Sequence, residues 1–420
     1  MADIEKNILV YLRQHGDENH QLVGVLTAQR LRGKEIFSFE YDRQWLNGPA
    51  SLLLDPDLQH FRGRQFVTGE KINFGVFMDS APDRWGRLLM RRREAEWARQ
   101  ENRQEQTLME SDFLLGVHDA GRMGALRFSL EPGGPFLSNL QSQTAPPWTS
   151  LRSLEQVSLL LEAGNAADSG DYAKWLNMLV DPGSSLGGAR PKASVVDATN
   201  NLWIAKFPSN SDEIDVGGWE MVMHILAARC GIQVPQSKIL KLSGKHHTFL
   251  SKRFDRSENG DRIHFASAMT MLGYSDGTDH NDGVSYLELA EFILTGGCQP
   301  ELDIEQLWRR IVFSILTSNT DDHLRNHGFL LTSQGWKLSP AFDLNPNPYG
   351  TGLHLNISET SNSLDPALAL QVAIHFRLSP QKASQILFQM QNEINQWRKI
   401  AGKLNLKPAE QAFLSPSFRK

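Results

Sequence analysis

Apolar and polar side chains alternate over the first sixty residues at the two-residue period of half-buried strands. Ile8–Leu12 and Leu22–Thr27 flank the polar turn His15–His20, and Glu35–Tyr41 continues the alternation. After Pro82 the period lengthens to that of a helix, Asp83 to about Gln104. In it Trp85, Leu88, Leu89 and Trp97 are outnumbered by Arg84, Arg87, Arg91, Arg92, Arg93, Arg99 and Arg103, the pattern of a solvated charged face. Residues 131–150, EPGGPFLSNLQSQTAPPWTS, have no period and read as a linker. A helix at Leu154–Ala163 follows, then strands broken by Gly-rich turns up to about Phe254. From about Ser285 the pattern predicts helices at Tyr286–Leu294, Ile304–Ser318, Pro366–Phe376 and Gln381–Ile400. A strand pair, His327–Leu331 and Trp336–Leu338, interrupts them. Strands followed by helices predict an α+β fold of two lobes with a cleft between them. The expected boundaries are a strand-rich N-terminal subdomain at 1–110, an N-lobe at 111–265 and a mainly helical C-lobe at 266–420.

The chain has 420 residues, too many for one ordinary core. Hydrophobic residues make up 40% and charged residues 22%, which excludes a mostly disordered chain. With 43 Lys and Arg against 48 Asp and Glu, the formal charge of −5 speaks against wholesale nucleic-acid binding. Cys230 and Cys298 are the only cysteines, too few for a disulfide framework or a thiolate metal cluster. The opening MADIEKNILVYLRQ lacks the basic-then-apolar order of a signal peptide, and no window approaches the length of a membrane span. A cytoplasmic protein without membrane contact is expected.

The chemistry concentrates in Ser314–Pro346. Asp321 and Asn326 have four residues between them, the interval that protein kinases keep between the catalytic-loop Asp and a metal-holding Asn. If the intervening hairpin folds back, Asp343 returns beside Asn326. The two would then offer hard oxygen ligands suited to Mg²⁺, with Asp321 facing an acceptor. The same segment is also compatible with ordinary polar turns. Asp321, Asp322, His323 and His327 make a second possibility, a metallohydrolase ligand set, although Leu324 stands where zincin chemistry needs a Glu. Upstream, Ser184–Lys192 is a Gly-rich loop carrying Ser185, Gly187, Gly188 and Lys192. It is not a Walker A sequence, yet it enters a predicted hairpin, Lys192–Val196 with Leu202–Phe207, as a phosphate-covering loop would. Lys206 lies alone in the apolar run LWIAKF. It is either an edge lysine reaching water or a phosphate ligand paired with an acid. Glu220, in the first turn of a helix expected at Trp219–Cys230, is the partner of choice, unless it serves only the helix dipole.

Together SSLGGARPKASV, LWIAKFP, FLSKRFDR, TSNTDDHLRNHGFLL and LSPAFDLNP resemble the HipA-type serine/threonine kinases, the toxin halves of bacterial toxin–antitoxin pairs. FGVFMDSAPDRWGRLL and DFLLGVHDAGRMGALRF resemble that family's amino-terminal region, so the resemblance covers nearly the whole chain. It implies a protein-kinase-like fold, Asp321 as the catalytic residue, and Asn326 and Asp343 as Mg²⁺ ligands. It further implies Lys206 on the ATP phosphates and the Ser251–Phe254 stretch, with Lys252 and Phe254, at the adenine. Ser185 corresponds to the serine that such kinases autophosphorylate. Implied partners are an aminoacyl-tRNA synthetase as substrate and a small helix-turn-helix antitoxin, through which DNA would be met only indirectly. A non-catalytic co-repressor that keeps the fold is the alternative from another class. After RFDR the chain reads Ile263–Ala268, IHFASA, where many relatives carry Gln-Glu-Asp; this marks a divergent branch.

Overall fold

The structure, a computed structural model, describes residues 5–13, 19–48, 53–138, 145–163, 172, 176, 177, 179 and 190–419. Its contacts group into two compact units, residues 1–205 with 255–266, and residues 206–254 with 267–420.

In the first unit, strands β1 (Glu5–Leu12), β2 (Gln21–Leu31), β3 (Lys34–Tyr41), β4 (Gln65–Phe66) and β5 (Arg127–Ser129) form one sheet in the order β4-β3-β2-β1-β5. The alternation seen in the sequence buries Ile8, Val10 and Leu12 from β1 and Phe37, Phe39 and Tyr41 from β3. Gly24 of β2 sits where a Cβ would stand 2.3 Å from the Glu40 carbonyl, so only glycine fits that crossing. Helix α1 runs Arg84–Gln100, its first turn capped by Asp83, whose Oδ1 accepts from the Gly86 N–H at 2.8 Å. Its arginines are not simply solvated. Arg87 makes a forked bond to Glu110 at 2.5 and 2.7 Å, and Arg103, just past the helix end, makes another to Glu94 within it at 2.5 and 3.0 Å. Helix α2 (Leu151–Glu162) follows, and strands β6 (Lys192–Val196) and β7 (Leu202–Lys206) lie side by side.

The second unit is built on helices. Helix α3 (Val216–Arg229) is capped by Asp215, and strands β8 (Ser237–Leu240) and β9 (Thr248–Lys252) pair antiparallel. Helices α4 (Tyr286–Gly296) and α5 (Pro300–Thr317) come next, Pro300 occupying the first turn of α5, where a missing N–H costs nothing. Ile304, Leu307, Trp308, Ile311, Val312, Phe313, Ile315 and Leu316 of α5 are all buried, making it the core helix of this unit. The hairpin β10 (Gly328–Thr332) and β11 (Gly335–Leu338) is closed at its base by the Ser339 N–H on the Gly328 carbonyl, 2.8 Å.

Two expected helices differ from the sequence pattern. The one placed at Gln381–Ile400 is two, α6 (Pro380–Ile394) and α7 (Trp397–Lys403), because the chain breaks at Asn395–Gln396. The one at Pro366–Phe376 is α-helical only to Val372 and tightens to a 3₁₀ turn over Ala373–Phe376. Helix α8 (Pro408–Leu414) precedes a tail in which Phe418 stacks on Trp397 at 4.3 Å. Among the described residues no helix is long and apolar enough to cross a membrane.

Candidate active site

The side chains singled out downstream of residue 205 all belong to the second unit. Helix α5 ends on Ser318, whose left-handed backbone (φ +48°) turns the chain sharply out of the core. Residues 318–320 are then stitched to residues 345–347. The Asn345 N–H meets Asn319 Oδ1 at 3.0 Å, the Asn347 N–H meets the Ser318 carbonyl at 3.0 Å, and Asn347 Nδ2 donates to Thr320 Oγ1 at 2.8 Å. Arg419 from the tail adds two more bonds, Nε to Ser318 Oγ at 3.1 Å and Nη2 to the Gly350 carbonyl at 3.2 Å.

On this frame two adjacent aspartates go opposite ways. Asp321 is exposed. Asp322 is buried and accepts from the Tyr286 hydroxyl at 2.7 Å and Ser314 Oγ at 3.2 Å, while His327 Nε2 lies 3.0 Å from its other oxygen. Burial pushes the Asp322 carboxyl up, but His327 and these donors outweigh it and hold the group below the ordinary carboxylate range. Asp322 and His327 thus serve to anchor the loop. The four-residue metallohydrolase set does not converge, and among the described residues no three His, Cys, Asp or Glu are arranged to hold a metal.

Asn326 is buried and donates from Nδ2 to the Asp321 carbonyl at 2.8 Å. His323 lies near both Asp321 and Asp343. Burial depresses its imidazole below the ordinary value, against the opposing pull of those two carboxylates. Asp343 itself takes a left-handed conformation, φ +58°, uncommon outside glycine though commoner for Asp and Asn.

Lys206, at the end of β7, joins the cluster from another direction. Its Nζ is 2.6 Å from Glu220 Oε1 and 2.6 Å from Asp343 Oδ1, with side-chain exposures of 17% for Lys206, 4% for Glu220 and 25% for Asp343. The ammonium also stands over the Phe249 ring at 5.9 Å, and burial followed by Lys206 itself drives the adjacent His224 down to about 3. The sequence singled out Lys206 and Glu220 as a pair; the second carboxylate could not be read from spacing. Two carboxylates thus meet at one ammonium. Together with the buried, unpartnered Asn345 Oδ1, this makes a donor set of hard oxygens that fits a divalent cation bound with an anionic ligand.

Lys252 is the last residue of β9 and Phe254 lies two residues on, the Lys252 N–H bonding the Gln236 carbonyl at 2.8 Å and the Phe254 ring lying 5.5 Å from Phe342. Lys192 belongs to the first unit, where it is buried with its Nζ 2.8 Å from Asp83 Oδ2. Ser185, Gly187 and Gly188 lie outside the described residues. Sequence reasoning passed over Tyr286, Thr320, Asn347, Gly350 and Arg419. Only the Asn-Pro-Asn-Pro run near Asn347 carried a turn signal.

The fold is a protein-kinase-like α+β arrangement, and it matches that of HipA from Shewanella oneidensis, solved with HipB and operator DNA. The TM-score is 0.66 at 17% identity over 98% of this chain and 94% of that one. A family model described as the HipA-like C-terminal domain matches residues 184–398, half of the chain, and the chain belongs to that family. Two curated relatives bear kinase names. One, "Putative kinase" of Haemophilus influenzae, is 27% identical over 186 residues, 40% of this chain and 54% of the relative. The other, of Sinorhizobium fredii, is 29% identical over 180 residues, 39% and 43% of the two chains. The matches thus span about half the length of these relatives.

Proposed function

We propose that this chain is an ATP- and Mg²⁺-dependent serine/threonine kinase of the HipA type. One observation carries the reading: a half-buried Lys206 shared by Glu220 and Asp343, in the same unit as an exposed Asp321 whose carbonyl is held by Asn326. Phosphoryl transfer asks little covalent chemistry of a protein and much positioning and charge stabilisation. Glu220 fixes the Lys206 ammonium, which would hold phosphate oxygens. Asp343 and Asn326 would hold Mg²⁺, which would supply positive charge against the phosphates. Asp321 would orient the acceptor hydroxyl. Lys252 and Phe254 would meet the adenine, with Ser185, Gly187, Gly188 and Lys192 in or beside the loop over the phosphates. By analogy with the HipA complex, a small helix-turn-helix antitoxin would be the partner and the contact with DNA indirect. A translation protein of the aminoacyl-tRNA synthetase class is the proposed substrate, Ser185 the proposed site of autophosphorylation, and the cytoplasm the proposed location.

Intact mass after incubation with ATP and Mg²⁺ tests the proposal. The expected result is a gain of one phosphate, mapping to Ser185, that is lost when Mg²⁺ is chelated. No transfer to the chain or to any added protein would overturn it. Asp343→Ala should raise the Mg²⁺ concentration needed for half-maximal transfer about tenfold or more, since charged contacts of this kind contribute about 1.5–3 kcal/mol. A titration of rate against Mg²⁺ reads this directly.

Gly350 supplies a third check. A Cβ there would stand 2.4 Å from Thr320 Cγ2 and 2.9 Å from its Oγ1, and Thr320 is the residue before Asp321. Gly350→Ala is expected to cut kcat roughly a hundredfold by displacing the loop, with a stability loss of only about 1–3 kcal/mol. Steady-state rates at saturating ATP and a denaturation curve separate the two effects.

A further inference from the structure

An open cavity of about 380 Å³ in the second unit is lined by Asp279, Thr320, Tyr349, Gly350 and His354, among others. It adjoins the exposed Asp321. Thr320 is that residue's chain neighbour, and the His354 ring packs 5.6 Å from His323, which itself senses Asp321 and Asp343. None of the cluster around Lys206 lines it, so it is distinct from the place proposed for nucleotide. Its volume is near the lower end for ligand pockets and suits one long side chain better than a cofactor.

Among the described residues the lining carries one carboxylate, Asp279, two imidazoles, His280 and His354, and no Lys or Arg, with His280 Nδ1 3.9 Å from Asp279 Oδ1. Asp279 lies on the surface, and its Oδ1 accepts from the Asn281 N–H at 2.7 Å, which helps to hold the carboxyl below its ordinary range and so keep it charged. Tyr349 is 77% exposed, with Phe413 at 5.8 Å its aromatic neighbour. A carboxylate and an accessible aromatic face bordering one small cavity favour a cationic guest. Gly350 lies against Thr320, and Arg419 holds its carbonyl, so this wall of the cavity is fixed to the loop bearing Asp321.

We propose that this cavity is the subsite for the acceptor polypeptide and takes a Lys or Arg side chain flanking the serine or threonine presented to Asp321. The proposal rests on the kinase reading for the identity of the guest. Asp279 and Tyr349 then determine specificity: Asp279 supplies the counter-charge and Tyr349 the π face.

The test uses the full chain and fluorescent octapeptides with a central serine flanked by Arg, Ala or Glu, with binding read by anisotropy and phosphate transfer measured in parallel. The Arg peptide should bind roughly fivefold tighter than the Ala or Glu peptide, the range for a partly exposed charge pair with a cation–π contact. Asp279→Lys should invert the order in favour of the Glu peptide, a gain that misfolding cannot produce, and Tyr349→Ala should weaken the Arg peptide alone. Equal binding of all three peptides, or an Arg preference that survives in Asp279→Lys, overturns the proposal. Charge-selective binding without phosphate transfer to any peptide, to an added protein or to the chain itself would support the pocket and refute the kinase reading. Transfer with no charge preference would do the reverse.

Discussion

Asp321→Asn should lower the rate of phosphoryl transfer roughly a hundred- to ten-thousand-fold, the usual contribution of a positioned acid or base. ATP affinity should stay within a few-fold of the original. The substitution is isosteric, the residue is exposed, and the bond that orders the loop at this point runs from Asn326 to the backbone carbonyl rather than to the carboxylate. Stability should therefore hardly change. Single-turnover transfer of labelled phosphate, set beside a melting curve, gives both numbers. Wild-type transfer by the variant would remove Asp321 from its assigned role.

Lys206→Met should have the largest effect on folding. Glu220 is almost fully buried, and its Oε1 lies 2.6 Å from the ammonium that would be lost. Breaking a buried pair by removing one partner costs about 3–5 kcal/mol, because an uncompensated charge stays behind. The variant should unfold at markedly lower denaturant and bind ATP at least roughly tenfold more weakly. Adding Glu220→Gln should restore part of the stability but not ATP binding, with a coupling of about 1–3 kcal/mol in the double-mutant cycle. Additive losses from the two substitutions would mean that the carboxylate finds another cation or water, and that the pair is not the organising contact.

The two sites differ in how far the sequence disclosed them. A single lysine in LWIAKF demands a buried partner, and an acid in the next helix's first turn is the nearest candidate; the bond exists. Its second partner, Asp343, lies 137 residues away, and local pattern does not encode such a distance. Asp321 and Asp322 are alike in sequence. What separates them is that Tyr286, from α4, and Ser314, from α5, reach one and not the other, a consequence of helix packing rather than of loop composition. Periodicity failed at Asn395 for a related reason. Ile394, Trp397, Ile400 and Ala401 keep apolar residues coming at helical intervals, so the break between α6 and α7 leaves the hydrophobic pattern intact. The charged face of α1 was legible as charged, but its forked pairs were not, because one partner of each, Glu110 and Arg103, lies outside the helix.

Arg419 grips both Ser318 and Gly350, so whatever is joined to the chain beyond it is in effect joined to the loop that carries Asp321. A pull on the backbone at Arg419 would strain that loop, and a cut just before Arg419 would release it.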